Sequence, residues 1–439
     1  MNKKSIEFET TRKDLTHLSG LLFFDDLVSR LNLVNRLSKL IPQGQVKKKL
    51  SSKEKFFTGI LGFIAGAECI DDLNDFYEDG FFSSLTKGGM VAGTMHLFLD
   101  KFKLKHFEKL QDFLPKLALE LRDKMFPRDN KVIIAMDATP HDQHGKLMEG
   151  VTWNYQNRWC YSSQNAFDQY GFCYGWNLMK GSAHSNTGAV EMLERIFKNV
   201  PNDRERYFRA DSAYANHKIY NSLITNNVSF AICLSSLVSG PLLERNEHKI
   251  KWQKTKLQFF NSKKCQLARV YYSPRHLREG KSLRVVIVRA LKDQKDRTSD
   301  SWYRYYALVT NIKVEDMSDE EVVKFYRGRG NAENFIKDLK NGIDFKHFPC
   351  RKMNKNKAWG FMGIYAYNLM RFASFLIDKR GCFLKRVRRK MVYLASEVRR
   401  GQRKIKLRFS EYIFKEVKRL TYELSTKFLQ VYYRSEFVT

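Results

Sequence analysis

A chain of 439 residues, 43% hydrophobic and 14% aromatic, holds enough apolar surface for roughly two to four structural units and excludes a mainly disordered protein. Its 78 Lys and Arg outnumber 47 Asp and Glu, giving a formal charge of +31 that is densest from Lys379 to Arg408 and asks for a polyanionic partner, nucleic acid or anionic membrane. The longest apolar run, Phe56 to Ala67, is shorter than the roughly 20 residues of a membrane-spanning helix, and MNKKSIEFETTRKD lacks the apolar core of a secretory signal. No membrane association and a cytoplasmic location are therefore expected. The seven cysteines, Cys69, Cys160, Cys173, Cys233, Cys265, Cys350 and Cys382, contain no Cys-x-x-Cys pair, and read as buried thiols in a reducing compartment rather than as a disulfide framework or a zinc site.

Apolar residues return every three or four positions from about Gly20 to Phe126, so residues 1–128 form a helical domain, with Ser51 and Glu54 as a capping box for one helix. This domain is either a helix-turn-helix DNA reader or a plain bundle. After Pro127 the texture changes to α/β. KVIIAM, Lys131 to Met136, reads as a buried strand ending at Asp137. Strands around Ser162–Phe167 and Phe172–Leu178 follow, then a helix from about Gly188 capped from Ser185, Asn186 and Thr187, and a strand Tyr207–Ala210 closed by Asp211. A helix near Asn216–Thr225 and a strand at Ser229–Leu234 complete a β-β-β-α-β-α-β first part of the core, residues 129–236. Residues 237–302 look like a β-rich insertion, and YYALVTN, Tyr305 to Asn311, resumes the core in its second part, residues 303–375. Ser318 and Asp319 then cap one long helix through about Lys340. Residues 376–439 read as a basic helical region, in which Val387, Met391, Leu394 and Val398 form a helical apolar stripe and the cations fit a DNA backbone.

Asp137 and Asp211 each end a short strand, and adjacent strands bring such ends within a few ångströms. Two carboxylates brought together repel, and a hard divalent cation relieves the repulsion. In YRGRGNAENFIKDLK, Tyr326, Arg329, Glu333 and Lys340 fall on one helical face, an acid among cations, while Phe325, Ala332, Ile336 and Leu339 fall on an adjoining apolar face. A plain Arg329–Glu333 surface pair would give the same pattern, but Gly328 and Gly330 cost a helix about 1 kcal/mol each, a cost that suits close approach to DNA. His141 and His144 are open to two readings, turn packing or metal ligation and base catalysis. Trp252 and Trp302 are likewise either packed β-domain aromatics or platforms for a base.

The stripe of Tyr326, Arg329, Glu333 and Lys340 resembles, spacing for spacing, the Tyr-Arg-Glu-Lys signature of a group of bacterial insertion-sequence DDE transposases. MDATPHDQHGKLMEGVTWNY and RADSAYAN resemble the regions around their first and second aspartates, although Ala213 stands where many relatives carry glycine. NKAWGFMGIYAYNLMRF extends the likeness beyond the glutamate helix. The resemblance implies an α/β fold: a ribonuclease H-like mixed-sheet core with a β-rich insertion, preceded by a helical domain and followed by a basic helical tail. It implies that Asp137, Asp211 and Glu333 are catalytic and hold two Mg2+ ions, for which Mn2+ substitutes, with Asp137 bridging both. It further implies that Tyr326 and Arg329 contact phosphate near the cleaved end and that Lys340 holds the flanking backbone. The expected activity is cut-and-paste transposition on double-stranded DNA, the terminal inverted repeats of the protein's own element and a target, by a nucleoid-associated homodimer in a synaptic complex. A DNA-binding descendant without activity, or a ribonuclease H-like nuclease that cuts without joining, are the alternatives.

Overall fold

The computed structural model of the protein describes residues 10–11, 13–44, 50–259, 262, 264–278, 282–292, 302–401 and 404–432. Residues 1–9, 12, 45–49, 260–261, 263, 279–281, 293–301, 402–403 and 433–439 lie outside the described residues. The chain forms two compact units of mixed α/β structure. One gathers residues 1–103, 342–344 and 365–439, and the other residues 104–341 and 345–364.

The first unit opens with β1 (Asp14–Thr16) and six helices, α1 (Leu21–Arg30), α2 (Leu33–Ser38), α3 (Ser52–Ala65), α4 (Asp72–Glu78), α5 (Gly80–Leu85) and α6 (Ala92–Leu99). The expected capping box opens α3: Ser51 N donates to Glu54 Oε2 at 2.7 Å while Ser51 Oγ accepts from Glu54 N at 3.4 Å. The terminal part of this unit corrects the expected helical tail. After α14 (Leu384–Val387) and a wide helical turn at Arg388–Val392, the chain extends into β12 (Ser396–Arg400) and β13 (Ile405–Arg408), and only then forms α15 (Glu411–Tyr432). β12 pairs antiparallel with both β1 and β13. All four stripe residues are buried, but between Leu394 and Arg400 the buried positions are Leu394, Ser396 and Val398. That spacing of two is the period of a strand, not a helix.

The second unit is built on one mixed sheet. Its elements are α7 (Leu104–Met125), β2 (Lys131–Asp142), β3 (Thr152–Trp153), β4 (Trp159–Phe167), β5 (Cys173–Lys180), α8 (Ala189–Asn199), β6 (Glu205–Ala210), α9 (His217–Thr225), β7 (Ser229–Cys233), α10 (Ser236–Asn246), β8 (Gln253–Thr255), β9 (Cys265–Tyr272), β10 (Leu283–Leu291), β11 (Tyr303–Thr310), α11 (Asp319–Arg327), α12 (Asn331–Gly342) and the first turns of α13 (Met353–Ile377). The sheet order is β3-β4-β2-β6-β7-β11-β10-β9-β8, with β5 also paired to β4. β2, β6 and β7 run parallel and every other pair is antiparallel. The short apolar runs ending at Met136, Ala210 and Cys233 thus become the buried centre, as their β-branched and aromatic composition suggests.

Two elements depart from expectation. The insertion contains a helix, α10, none of whose residues is buried, so no apolar stripe announced it. Its strands do not form a separate sheet: β11 pairs with β7 on one side and β10 on the other. The helix expected through Lys340 is also broken, since a tight 3-10 turn at Gly328–Gly330 separates α11 from α12. α11 packs Val322, Val323 and Tyr326 on Ala231, Val286, Val288 and Leu308 of the sheet, and α12 buries Ala332, Ile336 and Leu339.

Candidate active site

Parallel pairing of β2 with β6 stops at Met136 opposite Ala210, so Asp137 and Asp211 are the next residues on two adjacent strands. That register, fixed by burial of the preceding apolar residues, sets the two carboxylates side by side. Asp137 Oδ1 accepts from Ala138 N at 2.9 Å. Asp211 Oδ1 accepts from Ala213 N at 2.9 Å and caps the turn Ser212–Tyr214. Asn186, expected as a helix cap, instead donates to Ala213 O at 2.9 Å and ties down the same turn, while α8 begins after Gly188 at φ 74°. Ala213, where many relatives carry glycine, therefore sits comfortably in a capped turn.

Glu333 lies in the first turn of α12 and is 63% exposed along its side chain. Arg329 joins it to the strand acids. Its Nη2 donates to Glu333 Oε1 at 2.9 Å and its Nη1 to Asp137 Oδ2 at 3.2 Å. Burial, with the charges of Asp211 and Glu333, pushes the Asp137 carboxyl up to about 6 against the opposing pull of Arg329. The Arg329–Glu333 pair read from the sequence is present, but it is one half of a bridge.

The two glycines have separate explanations. A Cβ at Gly328 would lie 2.1 Å from Arg209 Nη1, whereas one at Gly330 would meet nothing within 4 Å. Arg209, which sequence reasoning missed, is 6% exposed and donates to Phe325 O at 3.0 Å. Burial and the neighbouring Arg329 lower its guanidinium to about 10. The available signal was its place two residues before Asp211, on the same strand face. Tyr214 was missed too: it is fully buried, and burial with the charges of Asp137 and Asp211 holds its hydroxyl above the usual range.

The remaining expected residues take other places. Tyr326 is only 8% exposed and meets Tyr306 edge-on at 5.6 Å. Despite the helix break it stays within electrostatic reach of Arg329 and Asp211. Lys340 Nζ donates to Pro140 O at 2.7 Å, and burial, reinforced by Arg158, lowers its ammonium to about 8. His141 is buried between Phe345 O, to which Nδ1 donates, and the Ser163 hydroxyl, 2.7 Å from Nε2, which leaves the packing reading. His144 is exposed and lies tilted against His347, ring centroids 5.2 Å apart. Trp252 covers the Arg289 guanidinium at 3.9 Å, and Trp302 is exposed.

Among the described residues, no three His, Cys, Asp or Glu side chains are gathered closely enough to share one ion. The acids nonetheless fit a hard divalent cation by donor chemistry: all are carboxylates, and two of them already share one positive charge, that of Arg329. The family model for the transposase DDE domain, group 1, matches residues 1–426. The chain belongs to this transposase family. No curated protein matches it. Membership makes the transposase a DNA-acting nuclease and transferase of a family that generally uses divalent metal ions. Among the transposase's described residues no helix is long and apolar enough to cross a membrane.

Proposed function

We propose that this transposase excises and inserts an insertion sequence by a cut-and-paste mechanism in which Asp137, Asp211 and Glu333 would hold two Mg2+ ions. The observation that carries the reading is the meeting of all three acids around Arg329: Asp137 and Glu333 through its guanidinium, Asp211 beside Asp137 through the strand register. The sheet supports a ribonuclease H-like core, since its five central strands run β5-β4-β2-β6-β7, third, second, first, fourth and fifth of the core with the short β3 set aside.

When bound, the ions would supply the positive charge that activates water and stabilises the leaving 3′-oxygen. The protein's own residues set the geometry. Hydrogen bonds from Ala138 N within β2 and from Ala213 N in the turn after Asp211 fix the two carboxylates, and burial of Ala332, Ile336 and Leu339 fixes α12, which presents Glu333. Arg329 is within reach of any phosphate at the acids and would exchange a carboxylate for a phosphate oxygen, as bidentate guanidinium groups favour. Lys340 holds the adjoining backbone. Tyr326 seats α11 on the sheet and, within electrostatic reach of Arg329 and Asp211, would meet phosphate near the cleaved end. The 3′-hydroxyl freed in the first step then replaces water as nucleophile on target DNA, with the two element ends held by a homodimer.

The test is incubation with duplex bearing the inverted repeats that flank the coding sequence, with Mg2+, comparing the native protein with Glu333→Gln. Metal-dependent end cleavage is expected, reduced at least about 100-fold in the variant while binding persists. Specific binding by the native protein without cleavage would reduce it to a DNA-binding descendant. Cleavage without joining of pre-cut ends to a plasmid would make it a nuclease.

A further inference from the structure

Arg209 is a buried cation with no acid of its own. It stands on β6 two residues before Asp211, on the same face of the strand, and is 6% exposed. Its Nη1 donates to Phe325 O at 3.0 Å, its Nε is buried without a partner, and among the described residues no carboxylate pairs with the guanidinium. Burying an uncompensated charge is costly. Part of the cost is offset by where the guanidinium lies, because Phe325 belongs to the last turn of α11 and the carbonyl end of a helix is its negative pole.

The turn that leads to the acids stands on this guanidinium. A Cβ at Gly328 would lie 2.1 Å from Arg209 Nη1 and 2.8 Å from its Cζ, so the backbone of the turn Gly328–Gly330 rests directly against the side chain. Arg329, in the middle of that turn, reaches Asp137 and Glu333. Among the described residues, the charge that acts on Arg209 is the positive one of Arg329. Arg329 is thereby repelled by Arg209 and attracted by Asp137, Glu333 and Asp211. A carboxylate beside Arg209 would lower the cost of its burial but would also compete with the acids for Arg329. β6 thus supplies both one acid, Asp211, and the support of the turn that carries Arg329.

We propose that Arg209 is a positioning residue for strand cleavage: its guanidinium, held between Phe325 O and Gly328, fixes the turn that aims Arg329 at Asp137. It acts through Arg329 and not on the DNA itself. The proposal rests on the reading of Asp137, Asp211 and Glu333 as the DNA-cleaving site.

The test compares Mg2+-dependent cleavage of inverted-repeat duplex by the full chain and by its Arg209→Met, Arg209→Lys and Arg329→Ala variants, with the double variant Arg209→Met, Arg329→Ala. Arg209→Met keeps the stem and removes charge and donor. It should cut about 100-fold more slowly at saturation with duplex affinity within about threefold, because misplacing a reacting group costs rate while affinity is spread over many phosphates. Arg209→Lys, which keeps a charge and a donor, should regain about tenfold of that loss. The double variant should stay within about threefold of Arg329→Ala, since the two residues act along one route. A native rate in Arg209→Met, a loss confined to affinity, or losses that multiply in the double variant overturn the proposal. Hydrogen exchange reads the turn without cleavage: amides of residues 328–331 should exchange at least about tenfold faster in Arg209→Met while those of β2 stay protected, and unchanged exchange there also overturns it. If Arg209→Met does not fold, Gly328→Ala presses on the same guanidinium and should show the same loss of rate and the same local exchange, with native behaviour again overturning the proposal. If the native protein does not cleave, or Glu333→Gln cleaves at the native rate, it is the acid-site reading that fails, and exchange at the turn still decides whether Arg209 holds it.

Discussion

At the scale of single residues, His141 shows what burial does to a titratable group. Burial, with Lys340 nearby, lowers its imidazole to about 3, and the Phe345 carbonyl together with the Ser163 hydroxyl fixes the neutral form protonated at Nδ1. An unfolded chain takes up this proton near pH 6.5 and the folded chain does not. Stability from His141 is therefore present above pH 6.5 and is lost as pH falls from there toward 3. Denaturant titrations should show the native protein losing about 2 kcal/mol more than His141→Asn between pH 7 and 5, and equal losses would reject the assignment. The sequence offered His141 only as a choice between packing and ligation, because its partners at Phe345 and Ser163 are set by the fold and not by spacing. Arg329 is similar. Its pairing with Glu333 was legible as an i, i+4 relation, while its pairing with Asp137, 192 positions away, follows no local rule.

At the scale of elements, the strands that position the acids were readable because each carries a short apolar run followed by an Asp, although β2 does not end at Asp137 as expected and continues to Asp142. The broken helix was not. Glycine at 328 and 330 signalled only a cost, and the three-dimensional reason, Arg209 against Gly328, comes from a distant strand. This contrast gives a prediction. Gly328→Ala must displace a buried guanidinium bonded to Phe325 O and should cost about 1–3 kcal/mol, whereas Gly330→Ala faces open space and should be neutral or stabilising by up to about 1 kcal/mol. Thermal or urea unfolding of the two variants checks it, and equal effects would remove Arg209 as the cause. β12 was misread for a related reason: its apolar residues continue a helical count from Val387 until the period shifts to two at Leu394. A short apolar sample cannot announce that shift in advance.

At the scale of the whole molecule, the charge of +31 sets how the protein meets DNA. Binding to duplex should weaken with salt with a log–log slope of about −5 or steeper, as for five or more phosphates neutralised. Lys340→Ala should make it shallower by about 0.9, and an unchanged slope would place Lys340 away from the backbone. The two-unit division was less legible than the charge, since the residues at both termini fall in one unit and pattern along a chain does not report which distant segments share a core. The sheet of the second unit has a further consequence. Because β9 and β10 supply Leu267, Val286 and Val288 to the face on which α11 rests, the insertion strands are part of the platform that carries the chain to Glu333. The helix α10, with no buried residue, is the stretch left to be lengthened, trimmed or exchanged among descendants of this chain while that platform is inherited intact.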